Sequence, residues 1–268
     1  MNRNQRTVAL AAMFGGVVLI GCGLTEPEDH LDPDPFPTDA LIVGHDVTAA
    51  FETIPSSILD QIRAEYRIFY GHTSHGSQII SGLNMLAAGG GEYAAPHFHQ
   101  ISDDLGHQGD LSWAGRTRDF LDAHPGEYNV VMWSWCGGVS DNTSGGIQAY
   151  LETMAQLEAD YPDVAFIYMT GHLDGTGLDG NLYARNNQIR AFAEANNKIL
   201  FDFADIESYD PLGTLHPDET DACHWCSSYC TTHECPSCGG CAHSHCFNCY
   251  QKGKAFWWLM ARLAGWGP

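Results

Sequence analysis

The sequence predicts an α/β fold built on a mostly parallel sheet, and three observations carry that expectation. Short apolar runs stop at glycine-marked turns, amphipathic helical stripes lie between them, and the two alternate along the chain. Strand, turn and helix repeated at such intervals make βαβ units, which pack as a parallel sheet covered by helices.

Taken in order, Ser56 to Glu65 has helical character and leads into the first run, Arg67 to Gly71. The residues His72-Thr73-Ser74-His75-Gly76 then form a turn into a helix, because Ile79, Ile80, Leu83, Leu86 and Ala87 share one stripe. Gly89-Gly90-Gly91 ends that helix, and residues 96 to 118 read as loop with one short strand near His97 to Ile101. Val130 to Trp135 runs into Cys136-Gly137-Gly138, Val164 to Met169 into Thr170-Gly171-His172, and Ile199 to Phe203 into Ala204-Asp205-Ile206-Glu207. Ile147, Tyr150, Leu151, Met154 and Leu157 predict one intervening helix, and Leu182, Ile189, Phe192 and Ala193 a less regular one. Ala255, Phe256, Leu259, Met260 and Leu263 form the apolar face of a terminal helix. In a parallel sheet the turns after the strands emerge on one rim, where open α/β sheets place reactive side chains. Ser74, His72, Cys136, His172 and Asp205 are the residues expected there.

The 268 residues suffice for a substantial core. Twelve Lys plus Arg against 33 Asp plus Glu give a formal charge of −21, which argues against nucleic acid and other polyanions as partners. Residues 1–21 carry Arg3 and Arg6 before an apolar stretch from Val8 to Ile20, the layout of a signal peptide. Leu19-Ile20-Gly21-Cys22 resembles the bacterial lipobox, which implies acylation of Cys22 and an exported, lipid-anchored protein of the cell envelope. Residues 22–40 are rich in acids and proline and read as an extended linker, leaving 41–268 as the folded domain.

A serine hydroxyl needs a base to take its proton and a third group to orient that base. Ser74, in a strand-to-helix turn, suits the nucleophile, and the start of a helix leaves backbone donors for an oxyanion; the same position suits a helix cap. His172 is well placed as base, substrate contact or ligand, and Asp205 as the orienting acid or a turn residue.

These features resemble the SGNH (GDSL-like) hydrolase superfamily over roughly Tyr66 to Trp266. Gly71-His72-Thr73-Ser74 stands where that family has G-D-S, Ser134-Trp135-Cys136-Gly137-Gly138 where it has G-x-N-D, and Cys241-Ala242-His243-Ser244 before the last helix where it has D-x-x-H. Asp221-Ala222-Cys223-His224 spells D-x-x-H further upstream. The resemblance implies a flavodoxin-like three-layer sandwich, with Ser74 as nucleophile and His243 as base, His245 and His224 being rivals. It implies His72, Gly76, Ser134, Gly137 and Asn142 as substrate or oxyanion contacts. The activity implied is that of an esterase or deacylase on a carbohydrate or other ester, requiring no cofactor. Trp113, Trp133, Trp135 and Trp225 are possible sugar platforms, although tryptophan is more often core.

Residues 211–249 break the α/β pattern as a Cys-rich insertion before the last helix. Cys223, Cys226, Cys230, Cys235, Cys238, Cys241, Cys246 and Cys249 are interleaved with histidines. Export favours disulfides, while the repeated C-x-x-C spacing suits zinc held by Cys223, Cys226, Cys235, Cys238, Cys241, Cys246 and Cys249. Without Cys22 nine cysteines remain, so at least one is left over, and Cys136 is the obvious odd one. Two other readings stay open: a metal-dependent enzyme using His72, His172, Asp205 and Cys136, and a metal-binding or structural surface module without hydrolase activity.

Overall fold

A computed structural model describes residues 36–267. The expected signal peptide, the acylated Cys22 and the linker as far as residue 35 lie outside the described residues. No helix among the described residues is long and apolar enough to cross a membrane.

Six strands, β1 (Leu41–Val43), β2 (Arg67–His72), β3 (His97–Ser102), β4 (Val130–Trp133), β5 (Ala165–Met169) and β6 (Ile199–Phe201), form one sheet in the order β1-β6-β5-β4-β2-β3. All neighbouring pairs are parallel. The central strands are buried along their whole length, as the uninterrupted apolar runs require of a sheet covered on both faces. From β2 onward the order is that of flavodoxin-like folds, with the expected cysteine-rich segment before the last helix. The chain leaves β2 to one side for β3, then crosses back to the other side for β4. A crevice therefore opens at the carboxyl ends of β2 and β4, the place where such sheets bind ligands.

The helices are α1 (Ser56–Glu65), α2 (Ser77–Ala88), α3 (Ser112–Ala123), α4 (Ser144–Asp160), α5 (Asn181–Ala195), α6 (Phe203–Ser208), α7 (His224–Tyr229) and α8 (Cys246–Leu263). α8 packs against α1 and α2, while α3, α4 and α5 pack side by side. Phe256, Trp257, Leu259 and Met260 of α8 are fully buried, and each contributes about 1.5–3 kcal/mol by leaving water.

Three local expectations are corrected. Residues 112–118, read as loop, belong to α3: Trp113, Ala114, Thr117 and Leu121 make a narrow buried stripe, with Thr117 satisfying its hydroxyl on Trp113 O at 2.9 Å. The short edge strand β1 was not expected; it completes the sheet beside β6. The last run stops at Phe201, because Asp202 caps α6 by accepting from Asp205 N. The four tryptophans considered as sugar platforms are all buried, and each indole N–H is satisfied internally, so none offers a face to solvent.

Candidate active site

The turn after β2 is pinned from several sides. Thr73 Oγ1 donates to Asp104 Oδ2 at 2.8 Å, Ser77 Oγ to Ser74 O at 2.6 Å, and Tyr70 OH to Gly76 O at 3.0 Å. Gly76 sits where a Cβ would overlap the Ser134 hydroxyl and His72 Cβ, so α2 can begin this close to β4 only with glycine there. The result aims His75 toward the turn after β4.

Across the crevice His75 Nδ1 lies 3.3 Å from Cys136 Sγ, and its Nε2 lies 3.0 Å from Asp221 Oδ2. A carboxylate only accepts, so Nε2 carries the proton and donates to Asp221, leaving the Nδ1 lone pair to accept from the thiol. Cys136 is the one free cysteine among the described residues. Ser74 Oγ stands 3.5 Å from the same sulfur. Ser74 also lines an open cleft of about 490 Å³ with His72, Thr73, Ser77, Gln100 and Ser102, and Cys136 beside it is half-buried.

Two further imidazoles flank His75. His172 stacks on it in parallel, ring centroids 3.6 Å apart, and His243 stacks at 4.7 Å. They make no ring contact with each other and so cover its two faces. His75 is only 7% exposed. Burial, and then the facing His172, push its pKa below the ordinary histidine range, against the opposing pull of Asp221 and Glu207. His75 is thereby held as a neutral imidazole, the form that accepts a proton.

Asp221 reaches the rim because its segment pairs with the loop after β5: Asp221 N donates to Leu173 O at 3.1 Å, and Thr220 bridges Asp174. His243 is delivered by the cysteine-rich segment in a left-handed backbone conformation, φ 60°, uncommon for a residue with a side chain. The eight cysteines of that segment stand at disulfide distance as Cys223–Cys226, Cys230–Cys235, Cys238–Cys246 and Cys241–Cys249. The spacing thus resolves into cross-links and not into a thiolate cage for zinc.

Of the residues expected on the rim, Ser74, Cys136, His172 and His243 meet around His75. The others are placed elsewhere. Among the described residues the Ser74 hydroxyl has the Cys136 sulfur as its hydrogen-bond partner and no imidazole. Asp205 faces His45, 2.6 Å from its Nδ1, and neither His172 nor His243. His72 turns to Gln100 at 2.9 Å. Ser134 is buried, with its backbone tied to Gly71 and Leu105, and Asn142 is buried with its amide donated to Gly138 O. Gly137, at φ 87°, makes the turn directly after the thiol. His245 caps α8 by accepting from Phe247 N, and His224 pairs with Glu219. Sequence reasoning passed over His75 and Asp221. The signals were a second histidine in the turn after β2 and the acid of the upstream D-x-x-H.

His75, His172 and Asp221 each offer one ligand atom within 4.8 Å of the others. The nitrogen lone pair that an imidazole donates to a metal lies in the plane of the ring, and the planes of His75 and His172 are parallel at 0°, so the two nitrogens cannot converge on one ion unless a ring turns. The fold and this site together define an α/β protein with a thiol, imidazole and carboxylate in line at its switch point. No protein-family model matches the chain, and no curated protein matches it either.

Proposed function

We propose that this chain is a hydrolase of acyl esters in which Cys136 is the nucleophile, His75 the general base and Asp221 the group that orients it. The observation that carries the reading is the continuous line from Cys136 Sγ through His75 Nδ1 and Nε2 to Asp221 Oδ2, at 3.3 and 3.0 Å. Nucleophile, base and orienter within hydrogen-bond reach are what covalent acyl transfer requires.

The steps follow from those atoms. His75 Nδ1 takes the thiol proton as Sγ bonds to the ester carbonyl carbon. The tetrahedral oxyanion is assigned to the backbone donor beside the sulfur, the N–H of Gly137. Collapse breaks the C–O bond, and His75 returns its proton to the leaving alkoxide. Water then attacks the thioester with His75 again as base, releasing the acid and the free thiol. Asp221 stays ionised, stabilising the imidazolium in each half.

The resemblance to SGNH hydrolases supports the reaction class but names Ser74 as nucleophile; the position of the base favours Cys136. The lipobox-like tetrad ending at Cys22 supports an exported, lipid-anchored enzyme of the bacterial envelope, and with it an acyl ester of a carbohydrate or another alcohol as substrate. Hydrolysis of p-nitrophenyl acetate by wild type, Cys136→Ala and Ser74→Ala tests the assignment. Cys136→Ala is expected to lose kcat by about a thousandfold or more, and Ser74→Ala to keep most of it. The opposite pattern returns the nucleophile to Ser74.

A further inference from the structure

Behind the imidazole stack lies a charge pair closed off from water. Lys252 of α8 and Glu207 of α6 are both 0% exposed, with the ammonium donating to Glu207 Oε1 at 2.6 Å. Lys252 also donates to Gln78 Oε1 and sits over the Phe203 ring, 3.7 Å from its centroid. Burial pushes the ammonium below the ordinary lysine range, against the pull of the carboxylate beside it. Taking two charges out of water is costly, and well-packed hydrophobic replacements of such pairs are often neutral or stabilising, so stability alone explains this one poorly.

Its hydrogen bonds point elsewhere. Every histidine of the stack has a chain neighbour tied to the pair. The N–H of Leu173, directly after His172, donates to Glu207 Oε2 at 2.7 Å. Gln78, three residues after His75 on the first turn of α2, accepts from Lys252 and donates through Nε2 to the carbonyl of Ala242, directly before His243, at 2.6 Å. Asn248 Nδ2 donates to the hydroxyl of Ser244, directly after His243, at 2.7 Å and stands 3.5 Å from Glu207 Oε1. The Trp225 indole donates to the carbonyl of Glu207 at 2.9 Å, which fastens the disulfide-linked segment to the same point.

We propose that Glu207 and Lys252 are positioning residues, a buried anchor that holds His75, His172 and His243 in register so that His75 stays aligned with the Cys136 thiol. This inference rests on the thiol–imidazole reading given above. It gives a reason for a charge pair at this depth: one carboxylate and one ammonium together reach the loop after β5 at Leu173, α2 at Gln78 and α8 at Asn248, the last two passing the contact on to the loop of His243, which apolar side chains of the same volume could not do. Glu207 also acts on His75 through its charge, supporting proton uptake against burial and His172. The other groups facing that imidazole are Cys136, Asp221 and His243.

The test compares wild type with Glu207→Gln, the charge-free double variant Lys252→Met/Glu207→Gln, and the near-isosteric Gln78→Met. Three quantities are read: histidine ring resonances against pH by NMR, the rate of Cys136 alkylation by iodoacetamide against pH, and kcat and KM on p-nitrophenyl acetate. In Glu207→Gln the His75 ring is expected to titrate at lower pH than in wild type. Alkylation is expected to slow by up to about a hundredfold, and kcat to fall while KM stays within about twofold, the signature of lost alignment. The double variant removes both charges at once and is expected to fold with the same losses. Gln78→Met is expected to move the His75 and His243 resonances most and that of His172 less, because the Leu173 N–H keeps its bond to Glu207. Wild-type ring titrations and alkylation rates in a folded pair variant overturn the proposal; should neither pair variant fold, unchanged rings in Gln78→Met do so. If wild type alkylates but hydrolyses no ester, the hydrolase reading fails on its own, and the NMR and alkylation comparisons still decide the positioning role.

Discussion

At the scale of single residues, His75 is useful because it is kept uncharged. Burial and the His172 ring against its face lower its proton affinity, while Asp221 fixes which nitrogen carries its proton. The catalytic form is therefore expected to survive below the usual histidine titration. The acid limb of kcat/KM should lie below pH 6.5, the ordinary histidine value, and a limb at or above 6.5 contradicts the assignment. Folding stability shares the sign. The unfolded chain takes up a proton at this histidine where the folded chain does not, so the contribution is present above 6.5 and declines as pH falls below it. Little of this was legible in the sequence, because the turn offers two histidines and only tertiary placement selects between them. His72, at the end of β2, is captured by Gln100 of the neighbouring strand β3. The next histidine, past the strand, is free to swing toward Cys136.

At the scale of elements, α2 starts two residues after His75 and lies against α8 backbone to backbone. A Cβ on Gly82 would strike the carbonyl of Cys249 and the N of Gly253, and one on Gly253 would strike Gly82. This close crossing explains two glycines inside helices, where glycine is otherwise unfavourable. Cys246 and Cys249 on the first turn of α8 are cross-linked back to Cys238 and Cys241, so the loop bearing His243 is stapled to the helix that α2 packs on. The loops closed are short, and each staple contributes about 2 kcal/mol in the chain-entropy account. Reduction under native conditions is therefore expected to release His243 and lower esterase activity while the far-ultraviolet dichroism of the sheet and its helices persists. Full activity in the fully reduced protein would show that the staples do not serve the site. Long stripes such as those of α2 and α4 were plain in the sequence. α3 was not, because its buried stripe is narrow and includes a threonine whose hydroxyl bonds inside the helix.

For the whole molecule, the parallel sheet sets one rim and the order of its strands selects one crevice on it. Alternating strands and helices predicted the rim, and Ser74, Cys136 and His172 emerge there as their positions after strands require. The parity of the cysteines marks Cys136 as the odd one, and it is the free thiol among the described residues. Asp205 illustrates what a linear reading misses: it follows its strand as expected, yet β1, too short to stand out in sequence, brings His45 to it first. Asp221 was hidden for a different reason, since an insertion with no strand or helix period gives no clue to where it folds back. The most direct measurement is rapid acid quench of the wild-type protein during turnover of p-nitrophenyl acetate, followed by peptide mass spectrometry. An acetyl group on Cys136, absent from Cys136→Ala and accumulating in Asp221→Asn at a slower rate, is the expected result. An acetyl group on Ser74, with Cys136 unmodified, would contradict the account.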